Sequence, residues 1–470
     1  MKKRYLSILL ILPLCLGLTI AALASGETEE KLLVEEPMPE DAIVEEAEPA
    51  QNGATIVDSG YCGIGLTWEL DDEGTLTVSG TGEMDYTEPG KPLTLDPPWD
   101  NIREAVKKVV IEDGATSIGN SAFAQCTGLT SIEIPDSVTS IGGHAFWNCE
   151  SLTSLCIPDG VTTIEYRAFA ECASLSSVTL PNELSRIESL AFSDCTSLKS
   201  ILIPANVTYI GDWAFRGCTS LSEIAIPDSV IEIGYHVFEN CTKLRSAYIG
   251  AGLTHIPEMG YGMGGGMSPN FFAGCTKLIS LSVSEYNPNF HSTNNCMIET
   301  ESKTLVIGCA GSIIPADGSV TRIGEGAFFD SGLTTVTIPN SVTDIGRSAF
   351  SGCAGLTTVT IPNSMTGIDE SVFSGCVRMK SVTIPLGITS IGKNAFHNDW
   401  GIVSVNNGGT ESQWEAIDID TGNEPLREAS FEYGSGSLEI PPSDVQGDMD
   451  GDGVLTPNDA AIILRICSEG

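Results

Sequence analysis

The chain is 470 residues long and strongly acidic, with 62 aspartates and glutamates against 23 lysines and arginines and a formal net charge of −39. Such a surface repels polyanions, so neither nucleic acid nor anionic lipid is expected as a partner. Length alone suggests roughly three globular domains, but the elements in chain order predict a different organisation.

The N-terminus is typical of an export signal. Basic residues 2–4 precede an apolar run that ends in the small-x-small pattern Ala22-Leu23-Ala24. We predict a signal peptide over 1–24, with an uncleaved membrane anchor as the alternative. No later stretch has the ~18–20 apolar residues of a bilayer span. We therefore expect an extracellular protein, secreted or surface-associated, with no membrane insertion after signal removal.

An acidic segment over 25–55 follows. From Gly26 to Asn52 it carries ten acidic residues, one lysine, three prolines and no aromatic residue. Such a composition cannot bury enough apolar surface to offset the entropy of ordering the chain. The segment is therefore predicted to be a disordered linker.

From Ile118 onward the chain repeats with a period of 23 residues. Phenylalanine recurs in each repeat, an isoleucine lies five residues before most of them and a cysteine three residues after most. A short strand pattern such as Leu129–Pro135 follows. The phenylalanines are Phe123, Phe146, Phe169, Phe192, Phe215, Phe238, Phe272, Phe328, Phe350, Phe373 and Phe396. The repeating cysteines are Cys126, Cys149, Cys172, Cys195, Cys218, Cys241, Cys275, Cys353 and Cys376.

A 23-residue unit has no core of its own, so the repeat predicts stacked coils. Stacking places equivalent residues roughly 4.8 Å apart and joins their apolar side chains into one column. Proline after the strand ends the pairing, and glycine after the isoleucine, present in seven coils, is expected to adopt positive φ. We predict a β-rich α/β leucine-rich repeat solenoid of about eleven coils over 106–400.

This pattern resembles the BspA-like (Treponema-type) leucine-rich repeats of bacterial surface proteins. The resemblance extends to both flanks. Cys62-Gly-x-x-x-x-Trp68 with Pro98-Trp99 resembles the small β-rich N-terminal cap of these proteins, here 56–105. Gly409 to Trp414 with Tyr433 is similar to their C-terminal capping coil, here 401–435. The resemblance implies a curved right-handed solenoid used for adhesion to host proteins, other cells or glycans.

Two irregularities interrupt the stack. An insertion rich in glycine and methionine, Glu258 to Ser268, is predicted to be a surface loop, with a ligand-contacting loop as the alternative. In a long coil from Tyr286 to Arg322, Cys296 and Cys309 are equidistant from a Ser302-Lys303 turn. We expect a hairpin that sets these two cysteines opposite each other in a disulfide.

The remaining sequence offers no catalytic constellation. There is no clustered C-x-x-C pair, H-E-x-x-H motif or nucleophile elbow, and the repeating cysteines are predicted to be buried thiols rather than metal ligands. Cys156 is expected on the exposed strand face as a candidate reactive thiol. Glu133 and Glu223 lie on that face but four coils apart, roughly 19 Å, too far to act on one glycosidic bond.

The exposed face of the stacked strands is predicted to be small and polar, either a solvated surface or a ligand groove. Tyr248 is its single aromatic. The other predicted members are Ser131, Glu133, Ser154, Ser177, Thr179, Ser200, Glu223, Ser246, Ser280, Thr335, Thr337, Thr358, Thr360, Ser381 and Thr383.

A calcium loop is predicted after a linker over 436–446. Ca²⁺ prefers six or more oxygen ligands, and an EF-hand-like loop with a glycine at its sixth position supplies them. The predicted ligands are Asp448, Asp450, Asp452, the carbonyl of Val454, Thr456 and Asp459. The loop and the short apolar helix that follows resemble one half of a type I dockerin over 447–470. The resemblance implies docking to a cohesin-type scaffold.

These features together predict a non-catalytic binding or adhesion scaffold with an unidentified protein or glycan ligand. One alternative is a component of a polysaccharide-degrading, cellulosome-like complex, with or without its own activity. The other is a structural surface spacer. The predicted modules occupy nearly every residue, whereas a catalytic domain would need ~100–200 more, so we expect no enzyme.

Overall fold

The computed structural model describes residues 54–86, 96–257, 260–262 and 265–434, with the backbone alone for 260–262 and 265–267. They fall within one compact unit, 54–470, and form a β-solenoid of about 14 turns. The predicted leucine-rich repeat solenoid is confirmed. The prediction of about eleven coils was too low because some turns carry another residue in place of the marker phenylalanine.

Two parallel strand ladders run along the solenoid. Equivalent strands of neighbouring coils pair in the 23-residue register, as Ser177 with Ser154 and Ile187 with Ile164. The longer strands, which form the long-strand face, are Lys108–Ile111, Ser131–Glu133, Ser154–Cys156, Ser177–Thr179, Glu223–Ile226, Ser246–Ile249, Ser280–Val283, Thr358–Thr360, Ser381–Ile384, Ser404–Asn407 and Ser430–Tyr433. The strands of the second ladder are Ser117–Ile118, Ser140–Ile141, Thr163–Ile164, Arg186–Ile187, Tyr209–Ile210, Glu232–Ile233, Thr304–Ile307, Arg322–Ile323, Asp344–Ile345, Gly367–Ile368, Ser390–Ile391 and Asp418–Ile419.

The third side of each coil, here called the turn face, surrounds the marker phenylalanine. Its backbone hydrogen bonds run between coils, as from Phe123 N to Ala145 O at 2.7 Å. The residues two before and two after the phenylalanine adopt left-handed φ in many coils, as at His144 (58°) and Asn148 (59°). The turn face is therefore not helical. The described helices are Asp100–Ala105 (3-10), Glu411–Glu415 and Glu424–Glu428.

The marker phenylalanines form the core column. From Trp99 through Phe123 to Phe272, consecutive rings stack with centroids 5.3–5.5 Å apart. A second run joins Phe328 to Phe396 with centroids 5.0–5.4 Å apart. Burial of each ring contributes on the order of 1.5–3 kcal/mol, so the columns are a main source of the solenoid's stability.

The two runs are separated by the predicted hairpin coil. Phe290–Thr293 pairs antiparallel with Cys296–Glu299, which pairs antiparallel with Thr304–Ile307. Gly308 N then donates to Ala327 O at 2.8 Å. In other coils the backbone N–H of the marker phenylalanine makes the equivalent bond, as from Phe328 N to Ala349 O. A Cβ at Gly308 would overlap the Phe328 ring. Gly308 therefore replaces the phenylalanine of this coil, and the core divides into two clusters.

Both ends of the described chain have capping elements. At the N-terminus, strands Ile56–Gly63, Leu66–Asp71 and Thr75–Gly80 form an antiparallel sheet that continues into the long-strand face at Lys108–Ile111. Trp99 begins the column, and its Nε1 donates to Ala122 O at 2.6 Å. At the other end Ser430–Tyr433 pairs in parallel with Ser404–Asn407. A further hairpin is Gly260–Gly262 with Gly265–Met267.

The glycine that follows the isoleucine has a different role from the predicted one. None of the seven, Gly142 among them, has positive φ. Instead the backbone of the preceding coil lies against them: a Cβ at Gly142 would lie 2.7 Å from Asn120 N, and one at Gly211 2.5 Å from Ser189 N. Close approach of neighbouring coils, rather than backbone conformation, therefore requires glycine here.

Candidate binding surfaces

The long-strand face is as polar as predicted, with one apolar addition. Its serines, threonines and glutamates are mostly exposed, and Glu133 pairs with Lys108 at 2.7 Å. Cys156 is exposed, as predicted. Leu202, 79 % exposed and in the same row as Tyr248, was not predicted. Small side chains in register make a flat surface with few anchoring groups.

The turn face carries a denser set of recognition side chains in its N-terminal coils. Six aromatic and histidine residues occupy the places three and two residues before the phenylalanine, and one after it. We call this set the aromatic band: His144, Trp147, Tyr166, Trp213, Tyr235 and His236. Tyr166 is exposed, and most of the others are partly exposed. The band spans coils 143–239.

Side chains of the aromatic band contact one another between coils. The His144 and Tyr166 rings meet edge to face at 5.2 Å, and the Arg167 guanidinium lies 5.5 Å from the centre of the Tyr166 ring. The Trp213 and His236 rings are parallel, with centroids 6.1 Å apart. These contacts hold the planar groups in fixed positions relative to the rigid coils, which reduces the entropy lost on binding.

The electrostatics of the aromatic band favour hydrogen bonding over charge. Burial lowers the pKa of His144, with a further contribution from Arg167, and burial lowers the pKa of His236. Both imidazoles are therefore neutral at pH 7. Trp147 Nε1 and Arg167 Nε are buried without a hydrogen-bond partner in the described part of the chain. These donors can bond to a ligand oxygen if their side chains turn outward.

The aromatic band was missed because no member recurs in every coil. Aligning the coils on the phenylalanine would have shown it. Two later coils hold serine at these places, as Ser348, Ser351, Ser371 and Ser374. These residues face outward, so the fold does not require aromatic rings there.

Two clefts lie where the caps meet the coils. The first has a volume of about 790 Å³, and the second about 570 Å³. Acidic side chains of the first are Glu83, Asp85 and Glu165; those of the second are Asp369, Glu370, Asp418, Asp420 and Glu424. Such linings repel anionic ligands. In the part of the chain with described side chains, no group of three or more His, Cys, Asp or Glu residues could hold a metal ion.

The repeating cysteines form a buried column of thiols, as predicted. From Cys149 onward each donates to the carbonyl of the preceding coil's phenylalanine, as from Cys149 Sγ to Phe123 O at 3.1 Å and Cys195 Sγ to Phe169 O at 3.2 Å. Burial raises the pKa of Cys172 to about 12. The Cys172 thiol is therefore protonated at neutral pH, and the thiols of the column link one coil to the next.

Cys296 and Cys309 lie at the base of the predicted hairpin. Both are buried thiols in this structure. Burial raises the pKa of Cys296 to about 12, and the neighbouring Cys309 raises it further. The Ser312 hydroxyl lies 3.6 Å from Cys309 Sγ. The disulfide remains a prediction.

Some predicted site residues lie outside the described residues. These are the six calcium ligands Asp448, Asp450, Asp452, Val454, Thr456 and Asp459, and most side chains of the 258–268 insertion. In the described ranges, no helix combines the length and apolar character needed to cross a membrane.

Comparison with known proteins identifies the repeat. The family model described as a BspA type leucine rich repeat region (6 copies) matches 102–211, 145–264, 186–316 and 308–416, a union of 315 of the 470 residues. No curated protein matches the chain.

Several solved structures are similar. A leucine rich cell surface protein from Faecalibacterium prausnitzii is 27% identical, with TM-score 0.48, 77% of this chain covered and 98% of that one. A leucine-rich repeat protein from Bacteroides ovatus is 23% identical, with TM-score 0.43 and coverages of 78% and 98%. The pneumococcal vaccine antigen PcpA is 18% identical, with TM-score 0.46 and coverages of 75% and 82%. On the family match, this chain belongs to the BspA-type leucine-rich repeat family.

Proposed function

We propose that this protein is an exported or cell-surface binding scaffold whose ligand contacts the aromatic band. The observation that carries the proposal is the contrast along the turn face. Rings occupy six of the fifteen such places in coils 143–239, beside Arg167 and Arg216, but only two of the twelve in the coils of Phe328 to Phe396, where they are Phe329 and His397. Tryptophan, tyrosine and arginine are enriched among the residues that dominate binding energy.

The ligand class is a host or bacterial surface protein or a glycan. Aromatic rings offer apolar contact area at a small entropy loss, and the hydrogen-bonding groups around them suit hydroxyl or amide partners. The net charge of −39 argues against a polyanionic ligand. No feature of the described residues indicates catalysis, and the proposed role is non-catalytic.

The experiment is an array of matrix proteins and glycans probed with the full chain, followed by variants of any ligand found. Trp213→Ser introduces the serine that two later coils hold at that place, Tyr166→Ser removes the exposed ring, and each should weaken binding about tenfold or more. Leu202→Ser, on the long-strand face, is the matched control and should bind like the parent. Thermal melting of each variant separates lost binding from lost folding. Loss with Leu202→Ser but not with the band variants would place the ligand on the other face.

The C-terminal calcium loop is a second part of the proposal. Its support is the ligand spacing. Carboxylates at loop positions one, three, five and twelve supply the oxygen ligands that Ca²⁺ prefers. The proposed ligands are Asp448, Asp450, Asp452, the Val454 carbonyl, Thr456 and Asp459. Calorimetry should detect Ca²⁺ binding that Asp450→Ala abolishes and Asp444→Ala, outside the loop, leaves intact. No heat at millimolar Ca²⁺ would reject the site.

The dockerin resemblance suggests what the tail binds. A cohesin-type scaffold is the proposed partner, and the chain would then be a non-catalytic component of a polysaccharide-degrading complex. Pull-down with purified cohesin modules, with and without a calcium chelator, tests this independently of the aromatic band. If the protein binds neither an array ligand nor a cohesin, the remaining proposal is a structural surface spacer.

A further inference from the structure

Three strongly exposed apolar side chains lie on adjoining coils near the C-terminal end of the solenoid. Val377 is 54% exposed, Trp400 62% and Val403 61%. Val377 and Trp400 occupy the same place in neighbouring coils, directly after the cysteine position. Val403 N donates to Lys380 O of the preceding coil at 2.9 Å. Together with Arg378 and Lys380 they form what we call the Trp400 patch.

The fold does not require these apolar side chains. In the earlier coils the place of Trp400 is held by small polar residues, as at Thr196, Thr219 and Thr242. A tryptophan left in water loses the stabilisation that its burial would provide. Contiguous exposed apolar residues mark an interaction site more often than scattered ones do. The patch therefore has a chemical character that its position in the repeat does not explain.

The charges of the Trp400 patch point to an acidic occupant. Arg378 and Lys380 are exposed, and neither forms an ion pair with a described residue. By contrast, Arg216 is paired with Glu239 at 3.3 Å. In a chain of net charge −39, two adjacent cations beside an exposed tryptophan attract a segment that is both acidic and apolar.

We propose that the Trp400 patch is the docking site for this chain's own C-terminal segment, 435–470. That segment holds seven acidic residues and one arginine. Its stretch Ala460–Ile466 is apolar except for Arg465 and lies between Asp459 and Glu469. In this proposal the apolar part of the segment contacts Trp400 and Val403, and its acidic residues balance the charge of Arg378 and Lys380.

The described chain ends close to the patch. Gly434 N donates to Asn407 O at 2.8 Å, so the last described residue lies beside strand Ser404–Asn407. Val403 precedes that strand, about 13 Å from Asn407 at ~3.3 Å per residue. The 26 residues from 435 to 460 can span up to about 90 Å, so reach is not limiting. Tethering gives the segment an effective concentration in the millimolar range, at which a weak contact is occupied.

The native Cys467, next to the apolar stretch, provides a direct test in the full chain. Val403→Cys places a thiol in the patch, and Leu202→Cys places one at a still more exposed site many coils away. Under mild oxidation with glutathione disulfide, the Val403→Cys protein should form an intramolecular disulfide to Cys467 at least tenfold faster than the control. Peptide mass spectrometry identifies the linked pair. Thermal melting verifies that both variants are folded.

Charge reversal tests the electrostatic part of the contact. Adding Arg378→Glu and Lys380→Glu to the Val403→Cys protein should slow cross-linking at least fivefold, and raised salt should slow the parent reaction in the same direction. Equal rates for Val403→Cys and Leu202→Cys would overturn the proposal. A product that is exclusively dimeric would also overturn it, because the patch would then join two copies. Because Asp459 is also a proposed calcium ligand, the cross-linking is carried out with a calcium chelator present, which keeps the outcome independent of the calcium site.

Discussion

The two runs of stacked phenylalanines use the same coil in different ways. In the first, from Trp99 to Phe272, a cysteine follows the phenylalanine in every coil from Phe123 onward and the turn face carries the aromatic band. In the second, from Phe328 to Phe396, two of the four cysteine places are taken by Ser331 and Asp399, and most places of the band hold serine or charged residues. The ring spacing is nevertheless nearly equal in both runs.

The comparison separates what stacking demands from what it leaves open. The phenylalanine contacts its own copies above and below, so the column tolerates little variation in shape. The neighbouring turn-face positions contact solvent on one side, and there the two runs diverge. The phenylalanine column supplies stability, and the partly exposed turn-face positions are free to acquire binding groups. The cysteine place is intermediate, because it is buried but accepts thiol, hydroxyl or carboxyl.

The largest expected effect is the loss of a ring from the first run. Phe192 is fully buried between Phe169 and Phe215, with centroids 5.3 and 5.5 Å away. Phe192→Ala should lower the free energy of unfolding by ~3–5 kcal/mol, because it removes apolar contacts and leaves a cavity. Chemical denaturation provides the measurement. Phe373→Ala, the matched change in the second run, should have a similar effect.

A mid-column cavity with no effect on stability would contradict the stacked-coil core. Unequal effects would instead refine the comparison. If Phe373→Ala unfolds only the residues after Gly308, hydrogen exchange will show two cooperative units with the hairpin coil as their boundary. A solenoid is stabilised by nearest-neighbour contacts, and the column is interrupted at Gly308.

The sequence predicted the column because its residues recur at a fixed spacing that burial imposes. The phenylalanines, the thiols and the exposed Cys156 were located from that spacing alone. Features set by a single coil could not be found in this way. Gly308 carries no marker, and its role follows from the contact with the Phe328 ring. The prediction of positive φ at the glycine after the isoleucine was wrong. Glycine is selected both by close approach of another backbone and by a left-handed conformation, so the residue type alone does not distinguish the two causes.

The second prediction concerns Asp399, the acid that stands in a cysteine place. It is fully buried, and neither carboxylate oxygen has a hydrogen-bond partner among the described residues. Burial raises the pKa of Asp399 to about 8. The neutral acid is thus the form that fits this site, as the neutral thiol is in the other coils.

The pH dependence follows from that shift. The folded state holds the Asp399 proton more tightly than the unfolded chain, whose pKa is near 3.8. Its contribution to stability is fully present below pH 4 and is lost as the pH rises through 8. Between pH 5 and 8 the parent should lose about 2–4 kcal/mol that the Asp399→Cys variant retains.

Denaturation at both pH values measures this difference. Asp136→Cys, at an exposed site, is the control and should follow the parent. A parent and an Asp399→Cys variant that respond alike to pH would show that Asp399 is ionised and solvated in the folded protein. The second run would then tolerate a charge where the first holds thiols, which would sharpen the difference between them.

The smallest expected effect concerns the thiol column. Cys195 Sγ donates to Phe169 O at 3.2 Å and is fully buried. Serine keeps a donor but is smaller and more strongly hydrated, so Cys195→Ser should lower the free energy of unfolding by about 1–2 kcal/mol.

Ser331 already occupies this place in the second run, with its hydroxyl 3.4 Å from Cys353 Sγ. The reverse change, Ser331→Cys, should therefore stabilise the protein by a similar or smaller amount. Equal tolerance of serine in both runs would mean that the cysteines act only as small buried groups, whereas a larger loss at Cys195 would identify the thiol-to-carbonyl bond as a specific link between coils of the first run.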